Sequence, residues 1–291
     1  MGVDRPLKIM VLGASGMAGH VIATHLEEQG HDVTRVAHTR RVTPDTRLID
    51  LRDPTELVRL RPDSYDVVIN AVGILIGDAD RDRPRTVMLN SCLPRQLAQM
   101  LARTSTQLIH LSTDCVFSGT TGPYTEDSPP DAETFYGRSK AFGEIVDGKD
   151  LTFRQSIIGP DLAPDGAGLF AWVSRQQGPV RGYRRVRWNG VTSLELARCI
   201  EAAIGQGLTG LYHVTPPGPT TKHDLVAMIG ETFGWPITVE PVDEPVNDKT
   251  LIDTRRRLAH QPPDYPKMLA DLRAWVDDHP SSYSHYRQET R

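Results

Sequence analysis

Tyr136 and Lys140 stand four residues apart in the segment FYGRSKAFGE, and on a helix that spacing puts both side chains on one face. A free phenol titrates near ~10 and is a poor acid or base at neutral pH. A neighbouring ammonium favours the phenolate and brings the phenol toward a usable range. Such pairs are frequent on protein surfaces, so the meaning of this one comes from what precedes it. Upstream lie a Ser/Thr-rich strand end, HLSTDC (110–115), and a turn, Gly13-Ala14-Ser15-Gly16-Met17-Ala18-Gly19, with the pattern GxxGxxG between an apolar run and a helical one. Glycines at that spacing allow a tight turn, close backbone approach to a pyrophosphate and close packing of helix on sheet, and the helix then offers its free N–H groups to the phosphates. Gly13, Ser15, Gly16, Met17 and Gly19 are therefore expected to hold a dinucleotide.

The residue type after the second strand selects the dinucleotide. An acidic side chain there would bond a free ribose 2′-OH, but this chain reads VAHTRR, with Arg40 and Arg41 and no carboxylate. A guanidinium forks around anionic oxygens, which predicts NADPH, with NADH still usable. Asp50, followed by Leu51, is a candidate for the adenine end; the alternative is a turn or cap aspartate before LRDPTEL.

The elements that must position these groups follow from hydrophobic period. LKIMVL (7–12), DVTRVA (32–37), RLID (47–50), DVVINAVG (66–73) and QLIHLS (107–112) read as strands. HVIATHLEEQG and residues 85–104 read as helices, the second interrupted by Pro94. Strands alternating with helices predict βαβ units and a parallel sheet. Beyond residue 160 the pattern shifts to the helical segments LFAWVSRQQG, SLELARCIEAAIGQG and KHDLVAMIGETFG, with short strand-like pieces such as GLYHV. The expected class is α/β: a Rossmann-type doubly wound parallel sheet with a smaller, partly interleaved C-terminal substrate-binding region. Residues 1–160 form the dinucleotide-binding domain, 161–276 mainly the substrate region, and 277–291 a tail that is either disordered or docked.

Bulk composition narrows the partners. The 291 residues carry 33 Lys plus Arg against 37 Asp plus Glu, a net charge of −4 that gives no footprint for nucleic acid. The longest apolar run, VVINAVGILI, is too short to span a bilayer. No apolar signal precedes the first strand. Three widely spaced cysteines (Cys92, Cys115, Cys199) form no CxxC, and the ten histidines show no ligand spacing. A cytoplasmic, metal-free protein is expected.

The motifs together carry a resemblance. GASGMAG (13–19), NAVG (70–73), STDCVFSG (112–119), GPYTEDSPP (122–130), YGRSKAFGE (136–144), FRQSIIG (153–159), GLYHV and TTKHDLVAMI (210–229) make the chain similar to the extended short-chain dehydrogenases/reductases, and most of all to the dTDP-4-dehydrorhamnose reductases. The run from Ser112 to Glu144 is its most specific part. The resemblance implies hydride transfer from NADPH to C4 of a nucleotide-linked 4-keto-6-deoxy sugar. Tyr136 would give the proton, Lys140 would hold the nicotinamide ribose and lower the phenol's pKa, and Thr113 would hydrogen-bond the carbonyl. Ala71, Val72 and Gly73 would line the cofactor, and Asn90 would support Lys140. Asp114, Cys115 and Ile157 would face the sugar. SRQQGPVRGYRRVRWNG (174–190) supplies Arg175, Arg181 and Arg187 as candidates for the diphosphate, and Trp188 for stacking, with core packing as its alternative. The expected partners are a nucleotide sugar and, as an option, a second copy of the chain in a homodimer; neither nucleic acid nor membrane is among them.

Two positions depart from the family pattern. Cys115 stands where the rhamnose reductases have tyrosine, and Ile157 where they have tryptophan, so the sugar's identity does not carry over. Cys115 also resembles the acid/base cysteine of GDP-fucose synthases, which suggests a bifunctional epimerase/reductase as an alternative. That chemistry calls for a second acid/base, and no histidine occurs between Gly159 and Leu211. A third alternative is a dinucleotide-binding regulatory subunit without turnover.

Overall fold

The computed structural model describes residues 5–286. Its centre is a sheet of seven strands: β1 (Lys8–Leu12), β2 (Asp32–Ala37), β3 (Arg47–Leu48), β4 (Val67–Asn70), β5 (Gln107–Leu111), β6 (Leu151–Arg154) and β7 (Gly210–His213). All neighbours pair in parallel, in the order β7-β6-β5-β4-β1-β2-β3. The chain thus winds outward in both directions from β1, and the crevice between the carboxyl ends of β1 and β4 is the topological switch point where ligands of such sheets bind.

Side chains of β1 explain why its run is apolar throughout. Ile9 and Val11 point into one core with Ile22 and Leu26 of helix α1 (Met17–Glu28), while Met10 and Leu12 point into another with Leu93, Leu97 and Leu101 of helix α2 (Leu93–Leu101). A strand covered on both faces has no polar side to show. The stretch 85–104 is not one helix. A short α-helix (Arg83–Val87) passes through one π-helical turn (Met88–Cys92) into α2, where Pro94 falls in the first turn and its missing N–H costs nothing.

Helix α3 (Phe135–Gly143) follows the long loop after β5. The C-terminal region interleaves with the Rossmann layers: helix α4 (Ser193–Gln206) packs on α1, and β7 adds to the sheet beside β6. Helices α5 (Lys222–Phe233) and α6 (Tyr265–Asp278) enclose a separate aromatic core in which Phe170 meets Phe233, Trp235 and Tyr286 edge-on. The segment after α6 is docked through Tyr286: Tyr283 and Tyr286 are buried, and the Tyr283 hydroxyl bonds His20 Nε2 at 2.7 Å. The remainder of the expected tail lies outside the described residues. Among the described residues no helix is long and apolar enough to cross a membrane.

Candidate active site

At the switch point a cleft of about 700 Å³ is lined by Gly13, Ser15, Gly16, Ala71, Val72 and Gly73 on one side and by His38, Asp50, Leu51 and Arg52 on the other. Its floor is built by glycine. Gly13 has φ +80°, and a Cβ on Gly19 would stand 2.2 Å from the Gly13 carbonyl oxygen, so α1 sits as close to the turn as backbone allows. Gly16 caps α1 without a side-chain hydrogen bond, which leaves the first amides of the helix for an anion. Met17, on the first turn of α1, lies against Gly168 of the loop after β6. A cradle that a methyl group would fill, at a helix start with open amides, fits a dinucleotide diphosphate.

The reacting end lies where β5 stops. Thr134 caps α3 by accepting from the Gly137 amide at 3.1 Å, and a Cβ on Gly137 would meet the Cys115 carbonyl oxygen at 2.1 Å. That contact presses the start of α3 against the turn after β5 and brings the Tyr136 phenol into hydrogen bonding with Thr113. Thr113 Oγ1 in turn donates to Asp114 Oδ1 at 3.0 Å and accepts from the Cys115 amide at 3.1 Å. Lys140, one turn on, is buried and donates to the Leu111 carbonyl at 2.7 Å. A methyl on Gly73 would stand 3.9 Å from its Nζ, so the ammonium borders the cleft wall. Asn90 sits on the π-helical turn, bonds both the amide and the carbonyl of Ile74, and donates to Ser139. It fixes the strand end beside Lys140 and makes no direct bond to that lysine.

Burial dominates the electrostatics. It pushes the Tyr136 phenol above its ordinary range, with Cys115 and Asp114 adding to the rise and the Thr113 hydrogen bond opposing it. Lys140 is lowered to about 8 by burial against the pull of Glu144. Its ammonium is turned to a backbone carbonyl and does not depress the phenol, which corrects the expectation drawn from the Tyr/Lys spacing. Burial and the Asp114 carboxyl push the Cys115 thiol up to about 12, so it stays protonated. Asp114 is itself raised by burial, opposed first by Lys222 and then by Thr113 and Lys249.

The arginines are corrected more broadly. Arg41 donates to the carbonyls of Pro44 and Thr46, and Arg40 to that of Leu162; the cleft wall carries Arg52 and Arg85 instead. Asp50 does line the cleft, with its carboxylate forked by Arg52 at 2.6–3.0 Å. Arg175 donates to the carbonyls of Pro164 and Gly166, and Arg187 pairs with Asp248 at 3.4 Å. Arg181 is exposed on the strand Gly178–Tyr183, so these three form no common anion site. Trp188 is core: it is 4% exposed and its Nε1 donates to Ser156 Oγ at 2.7 Å. Ile157 is half-buried on a two-residue strand paired with Val191. His223 pairs with Asp224 in the first turn of α5, whose cap is Thr221. Away from the cleft, Glu195, Cys199 and His260 bring possible ligand atoms within 4.8 Å of one another; Glu195 there already has the Arg198 guanidinium as its cation.

The sequence reading missed Lys222 and Lys249, the cations that face Asp114. The signal for Lys222 was its place: it opens α5, and a cation at a helix N-terminus opposes the macrodipole.

Comparison with known proteins agrees with this geometry. The family model described as RmlD substrate binding domain matches residues 7–151. The chain is 30% identical over 252 residues to a dTDP-4-keto-6-deoxy-D-glucose reductase of Streptomyces niveus, covering 80% of this chain and 81% of that protein. It is 31% identical to the spore coat polysaccharide biosynthesis protein SpsK of Bacillus subtilis, covering 87% of this chain and 89% of the relative. Among solved structures, a dTDP-4-dehydrorhamnose reductase of Bacillus anthracis in complex with NADP superposes with a TM-score of 0.79 at 18% identity, over 93% of this chain and 100% of that one. With the glycine cradle, the Thr113–Tyr136–Lys140 cluster and these relatives in agreement, the chain belongs to the RmlD-like family of extended short-chain dehydrogenases/reductases.

Proposed function

We propose that the protein is an NADPH-dependent reductase of a nucleotide-linked 4-keto-6-deoxy sugar. The observation that carries this reading is the meeting of Thr113, Tyr136 and Lys140 at the end of β5, beside the glycine-floored cleft. When bound, NADPH supplies the hydride that turns the ketone into an alcohol. Thr113 holds the ketone oxygen by turning its hydroxyl proton from Asp114 to it. Tyr136 gives its proton to that oxygen as negative charge develops there; a phenol kept protonated by burial is in the right form to do so. Lys140 grips the nicotinamide ribose from the cleft wall. His38 and Arg52 line the cleft and take the 2′-phosphate role in place of Arg40 and Arg41, Arg52 turning from Asp50 to do so. Cys115 lines the sugar pocket as a neutral thiol, which supports reduction without epimerisation.

The test mixes purified protein with NADPH and dTDP-linked 4-keto-6-deoxy sugars and follows loss of the dihydronicotinamide absorbance. Tight dinucleotide binding with no oxidation by any sugar would overturn the reductase and favour a regulatory subunit. A pH profile adds a signed expectation. Lys140 titrates at about 8, below the ordinary lysine value, and its charged form grips the nicotinamide ribose. Reduction is therefore level below that value and declines as pH rises through it. A rate that climbs across the same range contradicts the roles given to Tyr136 and Lys140.

A further inference from the structure

Lys222 is placed against two costs. It is the first residue of α5, where the helix dipole disfavours a cation, and it is half-buried: partial loss of water lowers it to about 8, with Asp114 and Cys115 pulling the other way. Its ammonium lies over the Trp188 ring, 4.9 Å from the centroid, and the indole is itself fixed by its bond to Ser156. Among the described residues no hydrogen bond or ion pair engages the ammonium, and Asp114, the carboxyl it feels most strongly, lies beyond ion-pair distance. Asp114 is buried, and its carboxyl takes hydrogen bonds from its own neighbours Thr113 and Cys115. The ammonium and the carboxyl are thus near enough to influence each other without forming an ion pair, one residue from the threonine assigned to the ketone. Groups left apart in this way at a functional site commonly find their partner in the ligand.

We infer that Lys222 is a specificity-determining residue which, together with Asp114, clamps the sugar hydroxyl adjacent to the reduced ketone. The ammonium donates to that hydroxyl's oxygen and the Asp114 carboxylate accepts its proton. The ligand class is accordingly a keto sugar bearing a free hydroxyl vicinal to the carbonyl. A site built to bond a hydroxyl rejects the analogue without it, because its buried polar groups are then left unpaired. The inference rests on the nucleotide-sugar reading of the site and adds to it the ring position that is recognised.

The experiment compares wild type, Lys222→Met and Lys222→Arg on dTDP-4-keto-6-deoxyglucose and its 3-deoxy analogue, measuring binding by calorimetry and turnover with NADPH. Wild type is expected to favour the 3-hydroxy sugar by about a hundredfold or more in kcat/KM. Lys222→Met should lose most of that preference, with KM raised far more for the 3-hydroxy sugar than for the 3-deoxy analogue and the Kd for NADPH unchanged, and Lys222→Arg should restore part of it. Equal losses on both sugars, or no loss on either, overturn the clamp while leaving the reductase standing. If wild type binds the sugar nucleotide without reducing it, the reductase fails and the clamp is judged by binding alone: Lys222→Met must then bind the two sugars equally. Failure of wild type to bind either sugar overturns both.

Discussion

Tyr136→Phe is expected to lower kcat for ketone reduction by about 10²- to 10⁴-fold and to leave the Kd for NADPH unchanged. The ring stays in place because its position comes from the contact of Gly137 with the Cys115 carbonyl and from the Thr134 cap, neither of which involves the hydroxyl. What disappears is the proton that the ketone oxygen must receive. Thr113 cannot replace it: its hydroxyl can orient the carbonyl by turning its one proton from Asp114 to the ketone oxygen, but an aliphatic hydroxyl is a far weaker acid than a phenol. Single-turnover kinetics with pre-bound NADPH separate this loss from any slowing of product release. A variant retaining a tenth or more of the wild-type rate would move the proton source elsewhere, to Lys222 or to water. Loss of NADPH binding in step with activity would instead make Tyr136 a packing residue.

The second large effect concerns stability. Glu144 and Arg154 form a bidentate pair at 2.7 and 2.8 Å, and Glu144 also accepts from Ser112 Oγ at 2.6 Å. Both residues are under a tenth exposed. Glu144→Ala leaves the guanidinium buried without its counter-ion, which costs about 3–5 kcal/mol. The midpoint of urea unfolding reads this directly. The exposed pair Arg59–Glu56 is the control, and Glu56→Ala should shift stability by no more than about 1 kcal/mol. Equal shifts in the two variants would show that Arg154 finds water or another acceptor once Glu144 is gone. The pair also explains part of the family motif: Arg154 ends β6, Glu144 follows α3, and Ser112 precedes Thr113, so one ionic contact ties the strand, the helix and the turn of the active site together.

Local pattern carried most of the Rossmann half. Apolar runs marked β1, β2, β4 and β5 because strands buried on both faces have no alternative composition. The glycine turn and the Tyr136/Lys140 pair were legible because their spacing is itself the structural requirement. Helix α6 was also legible, and went unread: Met268, Leu269, Leu272, Trp275 and Val276 recur at helical period. The arginine-rich segment misled for a different reason. Arg184, Arg185 and Arg187 pair with Asp243, Glu244 and Asp248, and nothing local reveals partners some sixty residues away in the chain. The parallel strands that create this pairing, Gly178–Tyr183 and Ile237–Val242, are equally non-local. Lys222 escaped because its meaning depends on Asp114, which the fold alone brings opposite it.

The docking of Tyr283 bears on how the chain is made. His20 spans the gap between the Tyr283 hydroxyl and the Gly16 carbonyl, each at 2.7 Å, with burial lowering its pKa to about 4 so that the ring is neutral. Tyr286 accepts from the Asp161 amide at 2.9 Å, in the loop that Arg40 holds at Leu162. Both contacts brace rims of the cofactor cleft with residues synthesised more than a hundred positions later. On the ribosome, the first strands and α1 emerge early, but the glycine turn acquires this brace only after Tyr283 has cleared the exit tunnel. The glycine turn is therefore braced fully only after residues around Tyr283 have folded back onto it, and not when the turn itself first appears.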